Sequence, residues 1–175
     1  MSLKIFVDLP YPNFSEVEKD VKAAAVIAPA YASMHGELNA SLQYLYHYFN
    51  FVNSGDVETA EIIMGISLSE MEHLKILGEL LIKLGMDPIY TKTPPLGYNY
   101  YTAENICYSK TPIKMLLDDV AMEIYSVKQY EKIAVSLTNE KVRAVINRIV
   151  LDEEFHIKVL NERITALSGD SVKNF

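Results

Sequence analysis

A single cysteine, Cys107, is all the sequence has, so it can form neither an internal disulfide nor a Cys-x-x-Cys metal or redox centre. A reducing, cytoplasmic setting is the expectation. Basic residues are in deficit: 16 Lys and Arg stand against 23 Asp and Glu, a formal charge of −7. That balance repels nucleic-acid phosphates and anionic membrane surfaces, and neither is expected as a partner. Long apolar runs are missing as well. The two longest uncharged stretches, Ala23 to Gly36 and Leu38 to Gly55, are separated by Glu37 and interrupted by Pro, Asn, Ser, Gln and His, so no transmembrane span is predicted. Met1 to Pro12 lacks the apolar core of a secretion signal.

What is present is a helical pattern. At 175 residues and 50% hydrophobic the chain can bury a full core in one domain. We expect an N-terminal extension over 1–29, a bundle over 30–168 and a crossover over 86–111. Ser15-Glu16-Val17-Glu18 reads as a capping box before an alanine-rich helix, with a kink or fresh start at Pro29. From Ala30 to Asn53, Met34, Leu38, Leu42, Leu45 and Phe49 recur at helical steps. Asn53-Ser54-Gly55-Asp56 is a tight turn, so the next helix, ending at Gly85, runs antiparallel to the first. The stretch from Met86 to Lys110 contains Pro88, Pro94, Pro95, Gly97 and five tyrosines and has no helical period. Extended, it can traverse a bundle edge of roughly 35 Å, which lets the third helix run parallel to the second. Thr111-Pro112 opens that helix, Thr138-Asn139 turns into the last, and the last ends near Ser168-Gly169.

Two segments carry chemistry. Glu70-Met71-Glu72-His73 and Glu153-Glu154-Phe155-His156 each put a glutamate and a histidine at i and i+3, on one helix face. That face is apolar: Ile63, Ile66, Ser67, Leu74, Leu77 and Leu81 flank Glu70, and Ile146, Ile149, Leu160 and Ile164 flank Glu153. A carboxylate buried in an apolar stripe needs a cation or a proton, and a metal supplies the first. Glu37 and Glu123 each sit among apolar neighbours on the other two helices. Glu37 precedes Glu70 by 33 positions and Glu123 precedes Glu153 by 30, spacings that let antiparallel helices bring each pair to one depth. Each half of the chain is thus a helix with one glutamate, a turn and a helix with Glu-x-x-His. Glu72, Glu154 and Glu162 are expected on the solvated face and His35 and His47 at ordinary surface or interface positions, while Asp152 is placed to accept the outer N–H of a ligand histidine.

Over roughly Ala30 to Leu167 the chain resembles the ferritin-like di-metal carboxylate superfamily, whose members take one glutamate from each of two helices and Glu-x-x-His from each of the other two. The set Glu37, Glu70, His73, Glu123, Glu153 and His156 looks like that of bacterioferritin, and Tyr44, two turns after Glu37, stands where such proteins keep a tyrosine beside the metals. Val120 occupies the place of an additional glutamate found in rubrerythrins. Leu9-Pro10-Tyr11-Pro12 and Gln43-Tyr44-Leu45-Tyr46-His47 are similar to manganese catalases and spore-coat relatives. The resemblance implies an all-α, ferritin-like four-helix bundle with a long crossover between helices two and three. It implies two Fe or two Mn ions, iron being favoured, bridged by Glu70 and Glu153, with Glu37 and His73 on one metal and Glu123 and His156 on the other. It further implies an oxidoreductase acting on hydrogen peroxide or O2, with Tyr44 as a redox or hydrogen-bonding neighbour and an external electron donor, or else iron storage or a structural coat. Tyrosine-rich and apolar helix faces lead us to expect a homo-oligomer.

Overall fold

The computed structural model describes residues 4–93 and 99–173. Among them are five α-helices: α1 (Val21–Ala32), α2 (Glu37–Ser54), α3 (Val57–Leu84), α4 (Pro112–Ser136) and α5 (Glu140–Lys173). Helix α2 packs chiefly on α3 and α4 on α5, and the two pairs meet through α2 with α4 and α3 with α5. This is the expected four-helix bundle, with α1 added at one end. None of these helices is long and apolar enough to cross a membrane.

Local chemistry sets most boundaries. Gly55 (φ 81°) and Gly85 (φ 91°) take the left-handed conformation that ends α2 and α3, and the Asp56 carboxylate accepts from the Thr59 N–H to start α3. Asn139 accepts from the Lys141 and Val142 N–H groups ahead of α5. Three boundaries differ from expectation. The first helix is capped by Asp20, which accepts from Lys22 and Ala23, and not by Ser15; the Ser15 N–H is already taken by the Asn13 side chain in a local turn. At the other end of the chain, α5 continues to Lys173 because Gly169 does not adopt a positive φ.

The first bundle helix begins at Glu37, later than the periodicity suggests. Pro29 sits inside α1, which runs one turn beyond it before the chain breaks at Ser33–Gly36. Gly36 permits the break: a Cβ there would lie 2.8 Å from the Ala30 carbonyl oxygen and the Ala32 nitrogen. The new start places Glu37 in the first turn of α2, where the helix dipole favours its negative charge. Of Met34, Leu38, Leu42, Leu45 and Phe49, only Met34 and Phe49 are exposed; Leu42 and Leu45 are half-buried, and Leu38 packs against the core. The inward face carries Glu37, Ala40, Tyr44 and Phe51.

The core divides into two apolar clusters. One joins α1 to the C-terminal halves of α3 and α4 and the start of α5 through Ile27, Leu77, Leu80, Leu84, Ile133 and Ile146. The other fills the opposite end with Phe51, Ile63, Ile66, Met115, Leu116 and Leu160. On α3, α4 and α5 the glutamates and histidines lie between the two clusters in sequence, and Glu37 sits at the start of α2. Segment 85–111 links α3 to α4 and includes one isolated antiparallel bridge, Thr91 with Tyr100, and a 3-10 turn at Ala103–Asn105. Pro94, Pro95 and Gly97 lie outside the described residues.

Candidate metal centre

All six predicted ligands converge. Glu37, Glu70, His73, Glu123, Glu153 and His156 are each no more than 3% exposed. Their facing atoms form two groups, Glu37, Glu70, His73 and Glu153 in one and Glu70, Glu123, Glu153 and His156 in the other, with the atoms of each within 4.8 Å of one another. Glu70 and Glu153 belong to both groups. The His73 Nδ1 lies 3.1 Å from Glu153, 3.4 Å from Glu70 and 3.9 Å from Glu37. The His156 Nδ1 lies 2.9 Å from Glu70, 3.6 Å from Glu123 and 3.9 Å from Glu153. The two imidazoles stack with centroids 6.0 Å apart.

A family model for the ferritin-like domain matches residues 31–158, most of the chain. The chain belongs to the ferritin-like family. Its fold is similar to KatB, a manganese catalase from Anabaena (TM-score 0.80, 19% identity, over 92% of this chain and 79% of that one). It is also similar to Rhodobacter capsulatus bacterioferritin, described with a metal-free dinuclear site and a haem iron (0.73, 21%, 87% and 89%). Mycobacterium tuberculosis bacterioferritin BfrA is comparably similar (0.73, 20%, 87% and 90%). No curated protein sequence matches.

The ferritin-like centre passes a test of fit. Glu70 Oε1, His73 Nδ1, both Glu153 carboxylate oxygens and His156 Nδ1 are buried without an aligned hydrogen bond, although they crowd one another. Buried polar atoms that converge and stay unpaired are costly, and cations between them would remove that cost. Charge tells the same story. Burial, then the Glu70 charge, pushes the Glu37 carboxyl well above its usual range, and burial with Glu70, Glu123 and Glu37 does the same to Glu153. Burial also opposes ionisation of Glu70, but its bond to Glu37 and the two histidines outweigh it and hold that carboxyl well below its usual range. Burial opposes charging both imidazoles, yet Glu70 and Asp152 raise His73, and Glu123 and Glu70 raise His156, well above the ordinary histidine range.

The outer nitrogens decide which atom faces a metal. His156 Nε2 donates to the Ile5 carbonyl at 2.7 Å, and a carbonyl can only accept. His73 Nε2 lies 3.1 Å from Asp152, whose carboxyl is held down to about 2: its bonds to His73, Arg148, Tyr11 and the Val7 N–H outweigh burial. Each outer nitrogen therefore carries a proton, and each inner Nδ1 is the one that can offer a lone pair. Asp152 takes the place the sequence suggested for it.

Tyr44 is fully buried and donates to Glu123, a ligand on the facing helix. Tyr130 donates to Glu37 in the mirror arrangement. The signal was available, because Tyr44 follows Glu37 by seven residues and Tyr130 follows Glu123 by seven. Glu154 and Glu162 are exposed as expected, and Glu72 is partly covered beside Lys4.

His47 is not a surface residue: it is fully buried, with Nδ1 2.9 Å from both Asp119 oxygens and Nε2 2.9 Å from the Cys107 carbonyl. Helical phase puts it off the Glu37 face, but α4 and the segment before it cover that flank. Gln43 completes the set by donating to Asp119 and accepting from the Cys107 N–H, so this network pins the crossover to α2 and α4. His35 lies at the α1–α2 break, partly covered by the Tyr125 ring at 4.0 Å.

Proposed function

We propose that this ferritin-like protein is a di-iron or di-manganese oxidoreductase acting on hydrogen peroxide or O2. The observation that carries the reading is the pair of overlapping donor groups sharing Glu70 and Glu153, sealed from solvent and rich in carboxylate. Carboxylates with one imidazole per group suit Fe and Mn. Two such ions, when bound, supply electrons and Lewis acidity to an oxygen substrate.

The chain's own residues supply protons and a dry, fixed frame. Burial and the nearby carboxylates push the Tyr44 and Tyr130 phenols well above their usual range, so both remain protonated as donors to Glu123 and Glu37. Those bonds orient the two terminal carboxylates. The likeness to a manganese catalase over 92% of the chain supports peroxide as substrate. Exposed Phe49 and Val52 on α2 support a homo-oligomer, and the charge of −7 supports neither nucleic acid nor membrane as partner. An iron form needs an external electron donor. A cytoplasmic location accords with the single cysteine.

Elemental analysis of protein purified without chelator, followed by peroxide assays, tests the reading. About two Fe or Mn per chain is expected. O2 evolution without reductant assigns catalase chemistry to a manganese form, and reductant-dependent peroxide loss assigns peroxidase chemistry to an iron form. Stoichiometric metal with no turnover of either oxidant, in a large hollow particle by native mass, would replace the reading with iron storage.

A further inference from the structure

The segment before α1 does more than precede the bundle. Residues 4–12 run across α3 and α5 as an extended strap, and their polar contacts lead to the two ligand histidines. The Ile5 N–H donates to the Gly65 carbonyl, and the Ile5 carbonyl accepts both from the Ser69 hydroxyl and from His156 Nε2, at 2.7 Å each. The Val7 N–H donates to Asp152 Oδ1 at 2.7 Å, and the Tyr11 hydroxyl donates to Asp152 Oδ2 at 2.6 Å, the same oxygen that faces His73. Arg148 ties the strap down from the other side: it donates to the Val7 and Leu9 carbonyls, pairs with Asp152 at 2.7 Å and lies 4.5 Å over the Tyr11 ring.

The internal duplication shows what the strap replaces. Asp152 immediately precedes Glu153 and serves the histidine of the other half, His73. Its counterpart, immediately before Glu70, is Ser69, and Ser69 does not serve His156 itself. It holds the Ile5 carbonyl, and that carbonyl serves His156. One imidazole is thus oriented by a side chain that the strap grips, the other by the strap's own backbone.

Apolar packing alone does not secure this segment. Phe6 and Leu9 are 40% and 51% exposed, and a cavity of about 240 Å³ lies beside them, lined by Lys4, Phe6, Leu9, Pro10, Tyr11, Ser69 and Glu72. Ile5 and Tyr11 pack on the two core clusters, and the polar links beside them end at the metal centre.

We propose that residues 5–11 are a positioning strap whose docking and the metal occupancy of the centre stabilise one another. The docked strap holds each imidazole with its outer N–H paired and its inner Nδ1 facing the carboxylates. A cation on Nδ1 polarises the ring and strengthens the outer N–H as a donor to Ile5 and Asp152, which tightens the strap. Linkage requires the effect to run equally in both directions. The inference rests on the metal-centre part of the proposed function and not on which oxidant is consumed.

Hydrogen exchange of the full chain, free of metal and loaded with Mn(II), with native mass reading the Mn bound in the same samples, tests this. The Ile5 and Val7 amides should exchange about tenfold slower or more when about two Mn are bound. The Ser69→Ala and Tyr11→Phe variants remove strap anchors and leave every ligand intact; each should weaken Mn(II) binding roughly tenfold at unchanged stoichiometry. Lys141→Gln, which removes an exposed pair with Glu16 away from the strap, should leave affinity unchanged. Two Mn bound with unchanged exchange at Ile5 and Val7 would overturn the coupling while leaving the metal centre intact. So would wild-type affinity in both anchor variants. Failure to bind Mn(II) or Fe(II) at all would remove the centre and the strap's role together.

Discussion

Tyr130 on α4 donates its hydroxyl to Glu37 on α2, and Tyr44 on α2 returns the arrangement by donating to Glu123 on α4. The two helices are cross-braced through the outermost carboxylates of the centre, and each brace joins the two halves of the duplicated sequence. Tyr130→Phe should therefore match Tyr44→Phe in effect. Each change leaves one buried carboxylate without its phenol, which costs the metal-free protein roughly 1–3 kcal/mol, and each should weaken metal binding tenfold or more. Competition with a chromophoric chelator measures the second effect. Loss of affinity in Tyr44→Phe with none in Tyr130→Phe would refute the equivalence.

The His47–Asp119 pair should matter for stability and not for metal stoichiometry. Asp119→Ala leaves His47 and Gln43 without their shared acceptor and loosens the Cys107 backbone they hold. Removing one partner of a buried ionisable pair costs roughly 3–5 kcal/mol. Urea unfolding should show a loss on that scale while metal content per folded chain stays as in the wild type. A loss under about 1 kcal/mol would mean that solvent replaces the aspartate and that the site is not dry.

How far the sequence could be read depends on where each signal lives. Glu70 and His73, or Glu153 and His156, are three residues apart on one helix, so their shared face follows from helical geometry. Glu37 and Glu123 required a resemblance as well as spacing. Tyr130 was legible in the repeat, by its distance from Glu123, but only once Tyr44 was seen to reach across to Glu123. His47 could not be read, because its burial depends on Asp119 and Cys107, more than 50 positions away. The Ile5 carbonyl had no signal at all, since a backbone acceptor is the same whatever the side chain. The late start of α2 was hidden for a similar reason: Gly36 is needed there by a close approach to Ala30 and Ala32, and the apolar period of Met34, Leu38 and Leu42 runs across the break without marking it.

Four carboxylates packed together make the metal-free protein less stable than its core allows. Glu153 is the sharpest case, since burial and three neighbouring carboxylates all disfavour its charge. A carboxyl whose pKa is raised on folding contributes fully below its unfolded value, near 4.3, and loses that contribution as pH rises through the folded value. Glu153→Gln should thus raise the stability of the metal-free protein at pH 7, by about 1 kcal/mol or more, and the gain should shrink toward pH 4. The same change removes a ligand shared by both groups and should abolish stoichiometric metal binding. Thermal melts of chelated protein at the two pH values, compared with loaded protein, separate these effects. A destabilised Glu153→Gln variant at pH 7 would contradict the account of the centre's charge.

Metal loading should also release protons. In the metal-free protein His73 and His156 are raised well above the ordinary histidine range by the surrounding carboxylates, and each outer nitrogen already faces an acceptor. A metal ion can bind an inner Nδ1 or a carboxylate oxygen only after any proton there has left, and Glu37 and Glu153 are raised as well. The apparent affinity should therefore fall as pH is lowered, by roughly tenfold per unit for each proton displaced. Mn(II) titrations from about pH 8 to about pH 6, repeated in buffers of different ionisation enthalpy, read both the slope and the proton count. An affinity that stays flat over that range, with no protons released, would show that neither the imidazoles nor the carboxylates of the metal-free centre hold a displaceable proton there.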